Sequence, residues 1–125
     1  DRDSPWEDKG IILFNKAKRS GPQMIIHGAN GFLGYYAGPE VYVIDDLAIG
    51  NAFFAHQPMQ DFSDWRIGHF RRKVTWDYLL SLRTGENRIQ DGEMAKLYDE
   101  VILRTKVAVF DNDRLKHLLN LKKLK

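Results

Sequence analysis

Met24-Ile25-Ile26-His27-Gly28-Ala29-Asn30-Gly31-Phe32-Leu33-Gly34, followed by Val41-Tyr42-Val43-Ile44-Asp45-Asp46, decides the fold class. Each block opens on an apolar run of strand length, and the second is rich in β-branched residues. The stretch between them is too long for a tight hairpin and suits a short crossover helix over residues 32–37. Two parallel strands follow from that connection. The expected architecture is therefore α/β, with a short, mostly parallel sheet and flanking helices.

The glycines at 28, 31 and 34 have the spacing of a dinucleotide-binding loop, with Asp45 in the place of the ribose-binding acid. Such a loop must feed a helix whose first amides face the pyrophosphate and which runs on for about three turns. Gly38-Pro39 stops this helix after about two turns, because proline disfavours helix at the residue before it. Asp45 also arrives earlier than the fingerprint's acid, which stands about 20 residues on. No further strand–helix units and no Tyr-x-x-x-Lys pair follow. The glycines are expected to serve a tight strand-to-helix turn and close packing, and no cofactor is expected. An oxidoreductase fragment that binds a nucleotide is the last-ranked alternative.

Outward from this stretch the signals are mixed. Ile11-Ile12-Leu13-Phe14 is either a strand or the end of a helix, since four residues show no period. Ser20-Gly21-Pro22 breaks the chain. Asp45 or Asp46 is expected to cap a helix over residues 47–56, closed by Pro58. Residues 57–73 read as a long ordered loop. Thr75 and Gly85 bracket a helix, and Asp91 caps another in which Met94, Leu97, Tyr98 and Val101 share a face. Val107-Ala108-Val109-Phe110 reads as a strand. Asp111 or Asn112 then caps a last helix with Leu115, Leu118, Leu119 and Leu121 on one side.

One domain spanning residues 1–125 is expected, with 1–20 a poorly packed connector from an upstream membrane region. Hydrophobic residues at 43% and charged residues at 29% fit a globular chain rather than a disordered one. No apolar run reaches the roughly 20 residues that span a bilayer. The polar start, without an initiator Met, predicts a neighbour upstream. There is no cysteine, which removes disulfide and thiolate chemistry. A formal charge of +2 gives no ground for a nucleic-acid partner.

Trp65-Arg66-Ile67-Gly68-His69-Phe70-Arg71-Arg72-Lys73 is the densest candidate site. Aromatic faces stack on sugar rings, and arginine forks take carboxylate or phosphate. Trp65, Arg66, His69 and Arg71 are the candidate ligand contacts; anchoring aromatics beside solvated cations are the plain alternative. Arg83 and Arg88 form a second candidate pair, set against a role in capping and in pairing with Glu86. The histidines at 27, 56, 69 and 117 lack metal-site spacing, so no metal is expected. Asp45-Asp46 suits either a cation or helix capping. The basic end at Lys116, Lys122, Lys123 and Lys125 suits the helix dipole or anionic lipid headgroups.

The run Gly31-Phe32-Leu33-Gly34-Tyr35-Tyr36-Ala37-Gly38-Pro39, with Val41 to Asp45 and Leu47-Ala48, resembles a motif of bacterial polytopic glycosyltransferases of the arabinofuranosyl/mannosyl-transferase type. Trp65 to Phe70, Leu82 to Ile89, Leu97-Tyr98-Asp99, Leu103-Arg104-Thr105 and Phe110-Asp111 agree in the same order. The similarity covers roughly Met24 to Leu115. Those proteins are GT-C membrane enzymes that use lipid-linked sugar donors. The resemblance implies a soluble C-terminal domain on the periplasmic, outward face of the inner membrane, in a parent enzyme of cell-envelope glycan synthesis. It places no catalytic residue in this region. Its implied partners are the transmembrane part of the same polypeptide, the membrane surface nearby, and a glycan acceptor or polyprenyl-phosphate sugar. A purely structural brace is the alternative.

Overall fold

The computed structural model describes residues 4–28, 30–59, 67, 69–107, 111–113 and 116. The chain forms two compact units, Asp1–Lys73 and Val74–Lys125. Its fold class is α/β: a two-stranded parallel sheet with helices, as the two apolar runs and their crossover predict.

The first unit begins with helix α1, Pro5–Ser20. Pro5 opens it where a missing N–H costs nothing, Glu7 and Asp8 sit in the first turn, and Lys18 and Arg19 in the last. Gly21 ends it at φ 81°, with its N–H bonded to Ala17 O at 2.9 Å. Residues 11–14, open to two readings in the sequence, lie in the middle of this helix. Its inner face is Gly10, Leu13 and Ala17, and the two small residues are ones that a search for large apolar side chains passes over.

Strand β1, Gln23–Ile26, pairs in parallel with β2, Val41–Ile44, in the register Gln23↔Val41 to Ile26↔Ile44. Helix α2, Gly31–Ala37, crosses between them. Gly38 stops it at φ 73°, a left-handed conformation that favours glycine. Ala17, Ala37 and Val41 make a core cluster, with Leu13, Ile25 and Val43 packed against it. Met24, Ile26 and Tyr42 lie on the opposite sheet face at 40%, 47% and 42% exposure, while Ile44, at the carboxyl end of that face, is buried.

Helix α1 lies directly on α2. A Cβ built on Gly10 would stand 2.7 Å from Tyr36 Cβ and 2.8 Å from Leu33 O. The Tyr36 hydroxyl also donates to the Glu7 carboxylate, whose negative charge raises the phenol's pKa.

The helix expected over residues 47–56 is shorter. Ala48 takes φ 65°, which a right-handed helix cannot contain, and α3 is only Ala52–Ala55. Asn51 is its cap, accepting from Phe54 N at 3.1 Å. In the second unit, α4 (Trp76–Thr84) ends on Gly85 at φ 75°. α5 (Gly92–Thr105) is capped by Asp91, which accepts from Glu93 N and Met94 N. Tyr78 and Tyr98 meet edge-on with centroids 6.0 Å apart, both buried. The strand expected at 107–110 and the leucine-faced helix after it lie, almost entirely, outside the described residues.

Two glycines with opposite surroundings test the packing. Gly10→Ala is expected to destabilise by about 1–3 kcal/mol, the cost of overpacking against backbone. Nothing lies within 4 Å of a Cβ at Gly34, so Gly34→Ala is expected to stabilise by up to about 1 kcal/mol through helix propensity. Urea unfolding followed by circular dichroism reads both; an equal response at the two sites would contradict the α1–α2 contact.

Candidate ligand-binding site

The carboxyl ends of parallel strands are where α/β sheets usually offer a crevice. Here the chain leaves β1 with His27 N bonded to Ile44 O at 2.9 Å and turns at Gly28. A Cβ on Gly28 would lie 2.6 Å from Leu47 Cγ and Cδ1. The missing side chain at Gly28 makes room for Leu47. α2 has seven residues, too few for the long helix a dinucleotide loop feeds.

Asp45 is 2% exposed and accepts from Leu47 N at 3.0 Å and Gly50 N at 2.5 Å. It holds the 45–50 turn, which corrects its expected place as a helix cap. Asp46 is also buried, at 7% exposure. Its carbonyl accepts from Arg72 N at 2.7 Å, and its Oδ2 accepts from Arg71 Nη1 at 2.5 Å. Asp46 Oδ1 and Asn30 Oδ1 are buried with no hydrogen-bond partner among the described residues. Both are acceptors.

The segment 69–73 is strapped down by arginines. Arg72 Nε donates to Gln57 O at 3.0 Å and Nη1 to Phe70 O at 2.5 Å. Arg71 reaches Asp46 while keeping 75% of its side chain exposed. His69 is exposed, its Nδ1 3.1 Å from Ile67 O. His69 and Arg71 are thus both presented by the strap. Trp65 and Arg66 lie outside the described residues.

Arg83 and Arg88 belong to the second unit. Arg83 is exposed in the last turn of α4. Arg88 pairs with Glu86, and its backbone N–H donates to the buried Ser81 Oγ at 2.8 Å. Among the described residues no three His, Asp or Glu side chains gather as metal ligands would. No described helix is long and apolar enough to cross a membrane. Asp46 as the partner of Arg71 had no local signature, being 25 residues away; only its position after a strand hinted at a role.

Comparison with models of known families, with curated proteins and with solved structures finds no match.

In the second unit Asp77 has a perturbed carboxyl. The Thr75 hydroxyl holds its carboxyl below the ordinary range, with the Gln90 and Tyr78 amides adding to this and burial opposing it. A folded-state pKa below the unfolded one gives stability that is complete above about pH 4 and is lost as pH falls through the folded value. Asp77→Asn is therefore expected to lower the urea midpoint at neutral pH and to match the unsubstituted protein near pH 2. A parallel offset at both pH values would show that the carboxylate charge is not involved.

Proposed function

We propose that this chain is an extracytoplasmic accessory domain of a bacterial membrane glycosyltransferase, holding a glycan acceptor or a lipid-linked sugar donor beside the transmembrane part of the same polypeptide. The observation that supports a ligand role is the exposed guanidinium of Arg71, tethered by a buried carboxylate on the strap that also presents His69. A tethered arginine offers donors in a fixed direction, which favours planar anions over diffuse counterions. Trp65 and Arg66 complete this contact set, and Arg83 and Arg88 form a second one. The ordered agreement of short motifs from Met24 to Leu115 supports the parent enzyme. The chain itself performs no transfer in this proposal; it positions. The setting is the outward, periplasmic face of the inner membrane, in synthesis of the cell envelope.

A second proposal is a brace that binds nothing. It is favoured by the internal use of the same cations: Arg88 pairs with Glu86, and Arg72 bonds two carbonyls of its own strap.

Replacing Arg66 and His69 together by alanine in the full-length protein separates the two. Normal abundance with transfer reduced at least tenfold, about 1.4 kcal/mol, is expected for a ligand role, whereas lost abundance supports the brace. Titration of the domain with anionic oligosaccharides and polyprenyl-phosphate sugars, followed by Trp65 and Trp76 fluorescence, is expected to saturate. A flat response at millimolar ligand would remove the binding role.

A further inference from the structure

We propose that Asp46 is a positioning residue that aims Arg71 at a phosphate group. The inference rests on the ligand role proposed above and names the chemistry of the anion and the residue that presents its contact. Asp46 is 7% exposed, while the Arg71 side chain is 75% exposed. A salt bridge between two surface groups is loosely held, but here one partner is fixed in the protein. The contact is single: Nη1 meets Oδ2 at 2.5 Å, and Oδ1 has no partner among the described residues. A guanidinium carries five N–H donors in a rigid fork. Nε and Nη2 have no partner among the described residues, so the fork stays open for two anion oxygens.

The strap backbone is held separately, through Arg72 N to Asp46 O at 2.7 Å and Arg72 Nε to Gln57 O at 3.0 Å. The strap thus has ties that do not depend on the Asp46 carboxylate. Charge and acceptor number bear on the anion. Arg71, Arg72 and the exposed Lys73 stand against Asp46 and Asp45, whose charge the Leu47 and Gly50 amides bind without cancelling. These five side chains leave one net positive charge, enough for a phosphate group of charge −1, and a phosphate offers the open fork and the neighbouring cations more oxygens than a carboxylate does.

The test uses the 125-residue chain titrated with inorganic phosphate, a hexose 1-phosphate and glucuronate, read by NMR shifts of the Arg71 and Arg72 amides. Vesicles with and without a polyprenyl-phosphate sugar tell a lipid headgroup from a soluble phosphate. Phosphate is expected to bind more tightly than glucuronate. Arg71→Lys, which keeps the charge and loses the fork, is expected to weaken phosphate binding at least fivefold. Asp46→Asn decides the positioning role by its sign. Removing a negative charge should tighten anion binding if only net charge mattered, whereas a positioning residue predicts weaker binding. Tighter or unchanged binding overturns the proposal.

Should Asp46→Asn fail to fold, Arg71→Lys on the exposed side chain remains decisive, and unchanged phosphate affinity there overturns it equally. If the chain binds neutral glycans but not phosphate, this inference fails while the accessory-domain proposal stands. If it binds neither, the ligand role itself fails.

Discussion

The first unit depends on how little helix the crossover provides. Two parallel strands must be joined by a segment that returns over the sheet, and α2 has seven residues for the task. A helix of two turns cannot cover four-residue strands by itself. α1 makes up the difference, and the small residues Gly10, Ala17 and Ala37 let it approach α2 closely enough to share one core. A single methyl at Gly10 would meet backbone, so the contact is steric before it is hydrophobic. Once both helices occupy one face, Met24, Ile26 and Tyr42 are left half exposed on the other.

Beyond the strands the governing term is electrostatic. Two adjacent carboxylates are buried at the sheet's carboxyl end, a costly arrangement unless each finds donors. They find donors in different ways. Asp45 is met by amides of its own turn, which the unusual conformation of Ala48 brings round. Asp46 recruits the distant strap through Arg71 and through the Arg72 amide. One acid makes a local turn and the other makes a tertiary tie. The second unit repeats the theme with neutral partners: Ser81 and Asp77 hold the 86–90 segment through the Arg88 and Gln90 amides.

Much of this was legible in the residues. Periodicity and β-branching located both strands, Gly38-Pro39 set the limit of α2, and Gly85 and Asp91 marked helix ends whose chemistry is local. The shortness of α2, on which the reading of the glycine loop turned, has the same local steric origin. The candidate contacts were only partly legible: His69 and Arg71 stand on the strap, but nothing in the chain's order linked Arg71 to Asp46. Thr75 stands at the N-cap of α4, where its hydroxyl bonds the Asp77 carboxylate rather than a backbone amide.

Sequence by itself determined what depends on neighbours along the chain: the strand runs, their parallel sense, the helix stops at Gly21, Gly38 and Gly85, and the want of thiol chemistry. Tertiary structure decided what depends on partners far apart in order. It made Ile11 to Phe14 part of a helix, because Gly10 and Ala17 had to meet α2. It shortened the helix after Asp46, because buried Asp45 needed the amides of Leu47 and Gly50. The physical reason is common to both cases. A short apolar run or a lone acid has several locally acceptable states, and only the packing and donors supplied from elsewhere select one of them.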